Sequence, residues 1–182
     1  MFHAIAALFR PAFLACVLLA VGSCGGQEVK DGAGTTPWLV PERFFNGKVS
    51  GNGAFEGSLG LGRRAFTVEL EGRWDGRELL LAQDFFFADG GVDRIVWRIR
   101  KVDERRYEAT ADSVVGIAVA EANGRALNWR YTRDVRSGGG SVWRLDFDEW
   151  MTLQDDGSVV NQGTASKLGI PVGRLTLTFR RA

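Results

Sequence analysis

Apolar and polar positions alternate with a period of two through most of the chain. Phe66, Val68, Leu70 and Trp74 share one register, and Thr67, Glu69, Glu71 and Arg73 occupy the other. That pattern is a strand with one buried and one wet face. Ile95, Trp97 and Ile99 alternate with Arg94, Arg98 and Arg100 around Val96. Leu127, Trp129 and Tyr131 alternate with Asn128, Arg130 and Thr132. Trp143, Leu145 and Phe147 alternate with Arg144, Asp146 and Asp148, and Leu175, Leu177 and Phe179 with Thr176, Thr178 and Arg180. Further strands are expected over residues 78–87 and, as one long strand, over 107–120. A Gly-rich segment at 44–55 and a weaker one at 158–167 bring the total to about nine. Asp75-Gly76, residues 88–91, Asn123-Gly124, residues 137–140 and Asp155-Asp156-Gly157 supply turns between them.

No amphipathic helix interrupts this series, so consecutive strands pair as hairpins in an antiparallel sheet. A twisted sheet with a single apolar face must close on itself, as an up-and-down barrel or as a sandwich. The hairpin order favours an all-β, up-and-down β-barrel of about eight to nine strands. A transmembrane barrel would carry apolar side chains outward at its strand middles. Here one face carries Thr67, Glu69, Glu71 and Arg73, so the apolar face must point inward.

The amino end breaks the pattern. Residues 1–23 are apolar with one charge, Arg10, and the run 12–21 is about half the length of a membrane-spanning helix. It fits the centre of a signal peptide. Val21-Gly22-Ser23-Cys24 resembles the lipobox of bacterial lipoproteins, in which the chain is cut before a cysteine that becomes acylated. The alternative is a plain signal peptide with an incidental cysteine. Residues 24–36 then form a flexible tether spanning on the order of 20 Å, and 37–182 a single barrel domain. Gly25, where an Asp would retain an enteric lipoprotein in the inner membrane, implies delivery to the periplasmic face of the outer membrane. The expected membrane partner is engaged through acylated Cys24.

Composition removes much of enzymology. The only histidine is His3, inside the expected signal peptide. A mature chain without histidine runs no Ser–His–Asp or Cys–His mechanism and builds no His-ligated zinc site. Cys16 leaves with the signal and Cys24 stands alone, so no internal disulfide forms. Losing residues 1–23 removes one of 23 basic residues and none of 22 acidic ones. This balance argues against nucleic acid as a partner. Neither a cofactor nor a metal is expected, since the acidic residues near 148–156 lack a spaced calcium loop.

Several segments together resemble the DUF3833 family of bacterial envelope lipoproteins. They are Asp89-Gly90-Gly91 with Arg94 and Trp97, then Asp112-Ser113-Val114-Val115-Gly116. Gly124-Arg125-Ala126 with Trp129 and Tyr131 follows, then Asp148-Glu149-Trp150-Met151, Asn161 and Lys167-Leu168-Gly169. The resemblance covers about residues 37–180 and implies a lipocalin-like fold without a defined activity.

Candidate ligand-binding residues come from both readings. Trp97, Trp129 and Tyr131 belong to the apolar registers and should face inward. Arg94, Asp112, Asp148, Trp150, Asn161 and Lys167 lie in the family-like motifs. Arg94 and Asp148 sit in the opposite register and should lie at the mouth or outside unless a bulge re-aims them. A carboxylate pair could in principle catalyse glycoside hydrolysis, but ion pairing that fixes strand register explains these acids as well. A barrel of this size is either filled by side chains or holds one small ligand. The expected function is therefore binding or carriage of an apolar or lipid-derived small molecule. The alternative is a structural or assembly role with a filled barrel and no ligand. An enzyme using Asp112 or Asp148 comes third.

Overall fold

The computed structural model describes residues 38–58, 62–136 and 140–182. The expected signal peptide, the lipobox with Cys24 and the tether lie outside the described residues. A four-residue helix, α1 (Pro41–Phe44), precedes ten strands. These are β1 (Gly47–Gly57), β2 (Gly62–Trp74), β3 (Glu78–Phe87), β4 (Val92–Lys101), β5 (Arg106–Thr110), β6 (Val114–Asn123), β7 (Ala126–Arg136), β8 (Val142–Leu153), β9 (Val159–Lys167) and β10 (Ile170–Arg181). Each pairs antiparallel with its neighbour in sequence, and β1 pairs antiparallel with β10 to close the barrel.

Two expectations need correction. The expected long strand over 107–120 is two strands. At Ala111-Asp112-Ser113 the chain reverses, with the Val114 amide donating to the Ala111 carbonyl at 2.9 Å. Ala111 and Val114 continue the apolar character across the turn, which hid it. The count is therefore ten, and all-antiparallel closure requires an even number: in an odd meander the first and last strands would run parallel. The first strand also begins at Gly47 rather than Phe44, because Pro41 presets the first turn of α1 and Phe44 completes it.

The inner face forms one continuous core. Val49, Val68, Leu70, Leu79, Leu81, Ile99, Leu127, Val159, Leu177 and Phe179 are all buried there. One end is plugged. Leu39, Phe44 and Phe45 are buried against it, with the Phe45 ring edge-on to Phe179 at 5.5 Å. The Leu39 amide donates to the Gly124 carbonyl in the β6–β7 turn at 2.9 Å. Gly72 makes the close approach possible: a Cβ there would lie 1.7 Å from the Phe45 carbonyl oxygen. Glu42 of α1 accepts from Lys101 Nζ at 2.6 Å and from the Tyr107 hydroxyl at 2.9 Å. Burial pushes the Glu42 carboxyl up, but these bonds outweigh it and hold it below its ordinary value. The same carboxylate raises the Tyr107 phenol, adding to the larger effect of burial.

Among the described residues no such plug covers the opposite end. There the inward-facing Phe55, Phe85, Phe87, Tyr131, Val135, Trp143, Phe147 and Leu175 keep partial exposure. The wall is also incomplete on one side. Because β5 is short, its ladder with β4 reaches only Arg98, and its ladder with β6 only Ala118. Residues 92–97 of β4 and 114–117 of β6 thus have no ladder partner toward β5. Across this seam Arg133, on the inner register of β7, donates to Asp93 Oδ2 at 2.6 Å and to Ser113 Oγ at 2.9 Å. Beside the seam β6 bulges: Gly116, Ile117 and Ala118 together face Tyr131 alone, with Gly116 at φ 75°.

Candidate functional site

Four strands, β4, β7, β8 and β9, carry the chemistry of the interior, and alternation explains why. On β4 the inward register places Trp97, on β7 it places Trp129 and Tyr131, and on β8 it places Phe147 and Glu149. Trp97 and Trp129 are buried and meet edge to face at 5.4 Å. Tyr131 is half-buried, edge-on to Trp97 at 5.2 Å and stacked on Phe147 at 4.9 Å. The Trp97 indole N–H donates to Gln83 Oε1 at 3.1 Å, which satisfies the buried donor.

Beside this aromatic cluster lies a buried acid. Glu149 is 4% exposed. Its Oε1 accepts from the Tyr131 hydroxyl at 2.6 Å and its Oε2 from Asn161 Nδ2 at 2.6 Å. Asn161 is 1% exposed, and its Oδ1 is buried without a donor among the described residues. Gly163 on β9 faces Glu149 directly across the ladder, and a Cβ there would come within 2.6 Å of Glu149 Cγ. Glycine therefore makes the room that the acid fills. Burial raises the Glu149 carboxyl above its ordinary value, only partly offset by the two hydrogen bonds. Burial, and then the Glu149 charge, push the Tyr131 phenol well above its own.

Of the residues expected in the site, Trp97, Trp129, Tyr131 and Asn161 come together here. Lys167 lies farther out at the open end, its Nζ 4.4 Å above the Trp143 ring. The other four do not join the interior. Arg94 points outward and pairs with Asp84 at 3.3 Å. Asp148, also outward, accepts from Asn128 Nδ2 at 2.6 Å and lines a shallow outer groove with Arg130 and Asp146. Trp150 is on the same outer register and is 37% exposed. Asp112 is exposed in the β5–β6 turn. The reason is common to the three on strands: period two puts them opposite the apolar register, and no bulge intervenes in β4 or β8. Cys24 lies outside the described residues.

Glu149, the most deeply buried acid of the interior, was not among the expected residues although it adjoins Asp148. Its signal was present: it continues the register Leu145, Phe147, Glu149, Met151, where an acid has to be enclosed. Among the described residues no three His, Cys, Asp or Glu side chains are grouped to hold a metal ion.

In solved structures the barrel is similar to the S-type phycobiliprotein lyase from Guillardia theta. The TM-score is 0.54 at 8% identity, over 77% of this chain and 89% of that one. At that identity the likeness establishes the fold, a lipocalin-like closed barrel. No curated protein matches the chain in sequence. The family model DUF3833, described as a protein of unknown function, matches residues 18–181, so the chain belongs to the DUF3833 family.

Proposed function

We propose that the barrel binds and carries an apolar or amphipathic small molecule, lipid-derived in the setting its sequence suggests. The observation that carries this reading is the asymmetry of the interior. One end is packed and plugged by Leu39, Phe44 and Phe45, while inward-facing aromatics at the other keep partial exposure. Side chains that point into a closed barrel and still reach solvent line a cup, and apolar cups with a few convergent polar groups are the usual form of ligand sites. The structural relative, an S-type phycobiliprotein lyase, supports the same reading. The packed lower half favours a second reading, a structural envelope protein that holds no ligand.

In this reading the signal peptide is removed, Cys24 is acylated and the barrel is held at the periplasmic face of the outer membrane. Titration with the uncharged probe N-phenyl-1-naphthylamine separates the two functions. A saturable rise in probe emission, with quenching of the interior tryptophans, is expected for binding. Emission that rises only linearly with probe concentration would favour the filled, structural barrel.

A further inference from the structure

Among the described residues, the acid beside the aromatic cluster has two hydrogen-bond donors and no ion-pair partner within 4 Å, Arg133 favouring its charge only from farther away. Tyr131 and Asn161 supply the donors. Arg133, on the inner register of β7, directs its guanidinium to Asp93 and Ser113 instead. Beside the acid, Asn161 Oδ1 is enclosed with no donor among the described residues. A carboxylate with spare lone pairs and an amide with an orphaned oxygen are thus joined to each other and to Tyr131, with Trp129 opposite Glu149 on the neighbouring strand and Trp97 packed against Tyr131. Their complement is a compact group carrying several N–H hydrogens and a positive charge, which aromatic faces also attract.

We propose that Glu149 and Asn161 form a head-group subsite for an amphiphile with a primary ammonium end, whose apolar part occupies the aromatic cup. This deepens the binding function proposed above and rests on it. An ammonium donates to Asn161 Oδ1 and to Glu149 together and neutralises the buried charge. A hydroxyl end donates once and brings no charge. A carboxylate end brings no donor and a like charge, so fatty acids are poor ligands in that orientation. Tyr131 is the member of the trio that keeps partial exposure, so the head group enters on its side. The competing role for the trio is purely structural, a polar tie joining β7, β8 and β9, and it predicts no preference among head groups.

Displacement of N-phenyl-1-naphthylamine from the purified protein by decylamine, decanol and decanoate, each below its micelle concentration, tests the subsite. Decylamine is expected to displace the probe at about tenfold lower concentration than decanoate, with decanol between, since charge complementarity sets the difference. Glu149→Gln, folded by near-ultraviolet circular dichroism, should bring amine and acid to within about twofold. Asn161→Leu, which keeps the acid and removes the orphaned oxygen, should lower the preference for the amine. Decanoate equal to or better than decylamine would overturn the subsite, as would an undiminished amine preference in folded Glu149→Gln or Asn161→Leu. Saturable probe binding with no head-group preference overturns the subsite and leaves the binding function standing. No saturable binding of the probe or of any of the three amphiphiles overturns both.

Discussion

An unfolded chain ionises Glu149 near pH 4.5, whereas the buried carboxyl resists that charge and titrates higher. The folded state therefore binds the proton more tightly than the unfolded one. Below pH 4.5 the group is protonated in both states and imposes no penalty. As pH rises through the interval between the two values, the folded state loses the advantage of holding that proton, and stability falls. Glu149→Gln keeps the shape and removes the titration. Its stability relative to wild type should rise as the pH is taken from 4 to 8, measured by urea denaturation at both ends. A stability difference that stays flat with pH would show that the carboxyl is not held in a poorly solvated place. At this scale the sequence was only half readable. Period two separates Trp97 and Trp129 from Arg94 and Asp148, but an acid within an apolar register reveals its importance only once Gly163 and Asn161 are placed around it.

Among the elements, α1 is the shortest and holds the plug. Four residues form no stable helix alone; what fixes it is the burial of Phe44 and the bonds from Lys101 and Tyr107 to Glu42. Glu42→Ala removes the acceptor of both and leaves Lys101 facing a partly buried space. The loss should be about 2–3 kcal/mol, below that for a fully enclosed pair because the lysine keeps contact with water. Urea denaturation measures it, and a loss under about 0.5 kcal/mol would mean that α1 contributes no more than an ordinary surface segment. Neither the helix nor the split of the expected strand over 107–120 was visible beforehand. Both are short features set by neighbours: α1 by the barrel end it covers, and the Asp112-Ser113 turn by a run that stays apolar on either side. The long strands were legible because ten or more residues of alternation outweigh such local detail.

At the scale of the whole molecule, alternation told which side chains face inward but not how far down the barrel they fill it. That depends on staggered, twisted strands and on glycines, as at Gly53, where a Cβ would lie 2.8 Å from Leu177 Cα. The wall itself has a measurable weakness. Residues 92–97 and 114–117 each carry backbone amides with no ladder bond toward β5. In hydrogen–deuterium exchange these two segments should exchange well before the fully flanked strand centres at residues 67–71 and 176–179. Equal protection would mean that the seam is zipped in solution. A ring of strands bonded all the way round is a hoop of fixed girth, because widening it breaks ladder bonds in every strand pair. Here the hoop is complete near the plug and cut near the mouth, so the upper barrel is a split collar clasped by Arg133, with Trp97 packed on Trp129 and Tyr131 farther down. Unclasping Arg133 from Asp93 and Ser113 would let the collar spread around a guest bulkier than the cup at rest, with every strand ladder left intact.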